Sequence, residues 1–251
     1  MANKIVYMRW GELYTEDHVS KLEEQVNKNC SVDYEFCTME SCHKGSAFDR
    51  IQELQDRFYR GGMNPESSIT EREDSNFERE DAGGFAHFRK YLMFMRDKEE
   101  FKEGDVILYI DLDTLITGDL AYFFDLDMER PWITRSWQFQ EGFKWKRLYH
   151  LRSCPYFNSS VMVWKVGQNM TIFNELTNPD HDEAVFFQYG INDNWLFHRF
   201  GPNAYDETRR SWFNFFEPEV VVSDKRFLTS KTLIHTLAGM TMIEKNKLCL
   251  Q

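Results

Sequence analysis

Hydrophobic and polar positions alternate along this chain in a way that outlines an α/β protein. Residues 4–8, Lys-Ile-Val-Tyr-Met, form an essentially apolar run that stops at Arg9-Trp10-Gly11, which reads as a buried strand ending in a glycine-containing loop. Thr15 then opens a helix: it is a good cap, and Glu16 and Asp17 fall in the electropositive first turn. Val19, Leu22 and Val26 follow at helical spacing. Val32, Tyr34 and Phe36 alternate with polar residues and predict a second strand. The order β-α-β predicts a mostly parallel central sheet flanked by helices.

Further along, residues 46–60 read as a helix stopped by Gly61-Gly62. Residues 61–83 are polar and acidic without an apolar period, which predicts a long loop. A second helix is expected over about 85–97, with Phe88, Leu92 and Met95 on one face. The clearest buried strand is Val106-Ile107-Leu108-Tyr109-Ile110, and it runs straight into Asp111-Leu112-Asp113. Strand-like pieces recur at 131–134, 156–164 and 231–237, and 182–199 reads as helical. There is no internal repeat, low-complexity tract or linker, so residues 1–251 are read as a single domain.

Composition narrows the function classes. Apolar residues make up 42% and aromatics 16%, too many for a disordered chain. No apolar run approaches the ~18 residues of a membrane span. The start, MANKIVYMRWGE, does not read as a signal peptide. Five scattered cysteines (Cys30, Cys37, Cys42, Cys154, Cys249) fit free thiols in a reducing compartment, so a cytoplasmic location is expected. His43 beside Cys42 and Cys37 lacks a second ligand pair at zinc spacing. The net charge is −11, the opposite of what phosphate neutralisation by a nucleic-acid binder requires.

The chemistry concentrates at the end of the central strand. Residues i and i+2 of a strand point to the same side, so Asp111 and Asp113 project together if the strand continues that far. Ligands of open α/β sheets bind at the carboxyl ends of strands. Two neighbouring carboxylates repel, and a divalent cation removes that cost while keeping positions open for phosphate oxygens. The alternative is that both acids cap the loop and helix after them. Asp125-Leu126-Asp127 repeats the same tripeptide, but after Tyr122-Phe123-Phe124, a short helix end rather than a buried strand. Haloacid-dehalogenase-type phosphatases also place D-x-D-x-T after a strand; here the Thr, Thr114, comes one residue early and the motif lies in mid-chain.

Five segments, in order, resemble the GT-A glycosyltransferases, most closely the retaining glycogenin and galactosyltransferase-like group and related bacterial or phage transferases. They are Val6–Tyr14, Phe85–Tyr91, Ile107–Leu115, Tyr156–Trp164 and Leu233–Gly239. Between the last two, Tyr189–Leu196 is similar to the family's acid-containing helix. The resemblance implies a Rossmann-like GT-A domain with its nucleotide-binding part at about 1–115 and its acceptor and sugar part at about 116–251. It implies transfer of a sugar from a UDP-sugar to a hydroxyl acceptor, with retention and with Mn²⁺, or alternatively Mg²⁺. A catalytically inactive nucleotide-sugar-binding relative is the remaining reading of the same residues.

Residue by residue, the resemblance implies that Asp111, Asp113 and His235 hold the metal, a mixed oxygen and nitrogen set that suits Mn²⁺. Asn158 would bind sugar hydroxyls through its amide, and Asp193 would lie beside the anomeric carbon. Arg9 and Trp10 would meet the nucleotide, Arg89 the diphosphate, and Gly239 the donor pocket. Structural alternatives exist for each: a hydrogen-bonded core His, a strand-start Asn, an N-capping Asp, a surface Arg. Met240 follows Gly239 where related transferases carry Lys-Pro, which leaves phosphate contacts to Arg89 or Arg9. Residues 136–152 interleave Trp137, Phe139, Phe143, Trp145 and Tyr149 with Lys144, Lys146, Arg147, His150 and Arg152. This basic, aromatic stretch fits an acceptor site, a core-packed loop, or contact with a second copy of the chain.

Overall fold

The structure, a computed structural model, describes residues 1–9, 14–38, 101–135, 157–168, 196, 213–217, 219–222 and 229–237. The predicted helices over 46–60, 85–97 and 182–199, the acidic loop 61–83 and the basic stretch 136–152 lie outside that set, Leu196 excepted. Strand β1 is Asn3–Tyr7 and helix α1 is Glu16–Asn29. Strands β2 (Glu35–Thr38), β3 (Val106–Ile110) and β4 (Thr114–Ile116) follow. Then come the single-turn helix α2 (Ala121–Phe124), β5 (Trp132–Arg135) and β6 (Phe157–Lys165). The last strands are β7 (Asn214–Phe215), β8 (Val221–Val222) and β9 (Ile234–Thr236).

Six strands form one sheet in the order β2-β1-β3-β6-β5-β7. The ladders β1–β2, β1–β3 and β5–β7 are parallel, and β6 runs antiparallel to both β3 and β5. Five of the six strands therefore point one way, as the β-α-β opening predicts, and β6 alone is reversed. Its apolar run puts β3 at the centre, between β1 and β6, where Ile107, Leu108, Tyr109 and Ile110 are fully buried.

Helix α1 begins as expected. The Nδ1 of His18 accepts the Thr15 backbone N–H at 3.2 Å, a role that Glu or Gln usually fills at this position. Val19, Leu22 and Val26 join Ile5, Tyr7, Leu108 and Ile110 in the core, each burial stabilising by roughly 1.5–3 kcal/mol. The polar side of α1 reaches the second sheet: Gln25 Oε1 accepts the Ile116 N–H at 2.8 Å, and Asn29 C=O accepts the Leu120 N–H at 2.7 Å.

That second sheet has the order β4-β9-β8, with β4–β9 antiparallel and β8–β9 parallel. Its last strand starts at Ile234 rather than at 231, because Thr229 and Thr232 close a turn first: Thr232 N–H donates to Thr229 C=O at 3.2 Å and Thr229 N–H to Thr232 Oγ1 at 3.0 Å. The second strand starts at Glu35 rather than near Val32, where its ladder to Lys4 begins. Among the described residues no helix is long and apolar enough to cross a membrane.

Candidate functional site

The central strand stops at Ile110, one residue before Asp111, so the two acids do not share a continuing strand as expected. They occupy instead the short joint between β3 of the large sheet and β4 of the small one. The inward-outward alternation survives the break: Leu112 is buried in the core while Asp111 and Asp113 on either side are half-buried.

The joint is braced from several directions. Asp111 N–H donates to Ser160 C=O of β6 at 2.9 Å, and the Thr114 hydroxyl donates to Asp111 C=O. The Tyr109 hydroxyl donates to Asp111 Oδ1 at 2.5 Å. Burial pushes the Tyr109 phenol well above its ordinary range, and the Asp111 carboxylate, Asp113 and Tyr14 push it the same way. Both carboxylates thus lie within electrostatic reach of one hydroxyl, which stays protonated across the working pH range.

His235 arrives from the other sheet. The β4–β9 register pairs Leu115 with His235 and Thr114 with Thr236, and Leu237 N–H donates to Asp113 C=O at 3.1 Å. Asp113 stands two residues before Leu115, so the ladder brings it and the buried His235 to the same end. Two carboxylates and an imidazole suit a divalent cation. Among the described residues, however, no three His, Cys, Asp or Glu side chains gather closely enough to hold a metal ion. Backbone register, not a closed set of ligands, relates the three.

Asn158 lies at the same corner. Because β6 is antiparallel to β3, its first residues sit at the carboxyl end of β3. Its ladder to β5 slips there, from Ile133↔Met162 to Thr134↔Asn158, which leaves Ser159, Ser160 and Val161 opposite no residue of β5. The buried Thr134 hydroxyl donates to Val161 C=O at 3.2 Å, and Ser160 N–H donates to Asn158 Oδ1 at 3.0 Å. The carboxamide oxygen is thereby engaged, and its NH₂ group carries the two donors suited to hydroxyl oxygens.

Arg9 follows β1, which is parallel to β3, and so stands at the same end of the sheet. Its Nη1 pairs with Glu16 Oε1 at 2.5 Å, in the first turn of α1. Trp10, Arg89, Asp193 and Gly239 lie outside the described residues. The second D-L-D is a turn: Asp125 follows α2 and bonds its N–H to Ala121 C=O at 3.3 Å, and Asp127 Oδ1 accepts the Glu129 N–H at 3.0 Å. Both are exposed. Tyr109 and Thr134 are site residues that the sequence patterns do not single out. The two-residue spacing of Tyr109 and Asp111 is the available signal for the first; nothing in the sequence marks the second.

No family model matches the chain, and no curated protein matches it. Among solved structures, it is similar over 99% of its length to a glycosyltransferase involved in the glycosylation of the major capsid of PBCV-1, at 13% identity and a TM-score of 0.57, covering 98% of that chain. It also aligns with LgtC (12% identity, TM-score 0.49, 94% of this chain and 88% of that one). A third match is mouse xyloside xylosyltransferase 1 (12% identity, TM-score 0.48, 95% and 97%). A sheet with one reversed strand, an acidic joint at the carboxyl end of its central strand and the nearly full-length likeness to the first of these structures agree: the chain has the GT-A fold of glycosyltransferases.

Proposed function

We propose that the protein is a metal-assisted glycosyltransferase that moves a sugar from a UDP-sugar to a hydroxyl acceptor with retention. The observation that carries this reading is the joint itself. Asp111 and Asp113 stand half-exposed at the carboxyl end of the central strand, and the Leu237–Asp113 hydrogen bond ties them to the strand of His235. Mn²⁺, or Mg²⁺, would be held by Asp111, Asp113 and His235 only once these side chains close in from the spacing seen here, and would then supply positive charge opposite the leaving diphosphate. Asn158 would donate its amide protons to sugar hydroxyls, and Asp193 would stabilise the oxocarbenium-like sugar. Arg9 would have to exchange its Glu16 partner for the nucleotide. The acceptor hydroxyl would attack the anomeric carbon from the leaving-group face as the bond to the diphosphate breaks, its proton passing to a diphosphate oxygen. Little covalent chemistry falls to the protein; positioning carries the step.

A screen of sugar nucleotides for nucleotide release, with Mn²⁺ and with a chelator, tests the reading. Release from a UDP-sugar that falls to background on chelation is expected. No release from any sugar nucleotide, with phosphate liberated from a simple phosphomonoester, would replace it with the phosphatase reading.

A further inference from the structure

We propose that Ser160 is a specificity-determining residue for the donor sugar: its hydroxyl, standing beside the Asn158 carboxamide, hydrogen-bonds a hydroxyl of the sugar being transferred. The inference rests on the glycosyl-transfer reading and assigns a residue which that reading leaves out.

The position follows from the strand ladder. Strand β6 is antiparallel to β3 and pairs Tyr109 with Met162 and Ile110 with Val161, so the next pair is Asp111 with Ser160. The bond from Asp111 N–H to Ser160 C=O at 2.9 Å makes that pair one step beyond the end of β3. Residues directly opposite in an antiparallel ladder present their side chains on the same face, with Cβ atoms about 4.5–5.5 Å apart. Ser160 therefore shares a face with Asp111 at the carboxyl end of the central strand, where ligands of open α/β sheets bind. Burial alternates the same way along β6: Asn158 and Ser160 are half-buried, Ser159 and Val161 fully so. Asn158 Oδ1 accepts the Ser160 N–H at 3.0 Å, which holds carboxamide and hydroxyl side by side. The slip against β5 leaves Ser160 opposite no residue of that strand. Among the described residues the Ser160 hydroxyl makes no hydrogen bond of its own.

The pair is uncharged. Asn158 offers two amide protons, and the Ser160 hydroxyl both donates and accepts. An anionic oxygen brought against Ser160 would meet the Asp111 carboxylate across the ladder, whereas a neutral sugar hydroxyl meets no such repulsion. A site that hydrogen-bonds one hydroxyl of a substrate discriminates against analogues that lack it.

The test compares the full chain with Ser160→Ala, which removes the hydroxyl and keeps the backbone bonds. The probes are UDP, UDP-glucose, UDP-galactose, UDP-xylose and UDP-N-acetylglucosamine, all at one Mn²⁺ concentration. UDP, which carries no sugar, is titrated calorimetrically, and nucleotide release gives kcat/KM for each UDP-sugar. UDP affinity is expected to match the parent. For the UDP-sugar that the parent uses best, kcat/KM is expected to fall roughly 3–10-fold, the worth of one neutral hydrogen bond, and its advantage over the other sugars to shrink. Ser160→Gly carries the test if Ser160→Ala does not fold. Parent-like kcat/KM in the folded variant, or a fall equal for all the UDP-sugars, overturns the inference and leaves the proposed function standing. UDP affinity that falls as far as kcat/KM overturns it as well, because the residue then acts on the nucleotide or on the build of the corner. A parent that releases nucleotide from none of these UDP-sugars or any other sugar nucleotide overturns the glycosyl-transfer reading, and this inference with it.

Discussion

The two ends of the central sheet use carboxylates in different ways. At the amino ends of the strands, buried Asp105 is saturated: Oδ1 accepts the Ala2 N–H at 2.8 Å, Oδ2 accepts the Lys102 N–H at 3.0 Å, and Lys4 Nζ lies 3.8 Å away. Burial works against its ionised form, yet the two backbone donors, Lys4 and the amino terminus hold its carboxyl below the ordinary range. A lowered folded value means that Asp105 contributes stability above its unfolded value of roughly 4, lost as pH falls through the folded value. Lys4 has the opposite sign. Burial lowers it, but the Glu35 bond outweighs that, so its contribution is present below roughly 10.4 and lost as pH rises through the raised value. Thermal melts of Asp105→Asn against the parent should therefore differ most between about pH 4 and pH 10 and converge below pH 4. A difference that stays constant down to pH 2 would contradict this assignment. At the carboxyl ends, Asp111 and Asp113 stay half-exposed. Their distinction from Asp125 and Asp127 was legible because an apolar strand precedes one pair and a helix end the other. The pairing of Arg9 with Glu16 was not, because no local pattern relates the end of β1 to the first turn of α1.

Elements with several turns or alternations were readable, and the short strands β5 and β9 were read from apolar pieces at 131–134 and 231–237, but β4, β7 and β8 were not. Helix α1 repeats its apolar period over 14 residues and β3 is a continuous apolar run, so both announce themselves. Strands β7 and β8 have two residues each, too few for any period, and exist only because a longer strand lies alongside. The slip in β6 is hidden because Phe157–Lys165 reads as one unbroken strand. Two substitutions probe these joints. Thr117 and Gly118 both donate backbone N–H groups to Leu233 C=O, at 2.8 and 3.2 Å. A Cβ at Gly118 would stand 2.3 Å from Leu233 Cδ2 and 3.3 Å from its Cα. Gly118→Ala should cost about 1–3 kcal/mol in denaturant unfolding by overpacking this contact. Thr134→Val keeps the shape but strips the donor from Val161 C=O, and should cost about 1–2 kcal/mol. Unchanged midpoints in both would mean that neither joint is as tightly built as its geometry implies.

For the whole molecule, the β-α-β opening was enough to anticipate a mostly parallel sheet, and five segments in order, Ile107–Leu115 and Tyr156–Trp164 the most specific of them, carried the GT-A likeness. The small second sheet was not anticipated, although it ties the acids to His235: β4 and β9 have three residues each and lie far apart along the chain. Local patterns carry no record of such pairings. The central claim is that this joint, and not the exposed D-L-D, carries the metal and the diphosphate. Calorimetry of UDP in the presence of Mn²⁺ decides it most directly. Asp113→Ala should lose at least ~3 kcal/mol of UDP binding, because the diphosphate then faces no bridging cation, while Asp125→Ala and Asp127→Ala should bind like the parent. Unchanged UDP affinity in Asp113→Ala, or a loss confined to Asp125→Ala or Asp127→Ala, would contradict that claim.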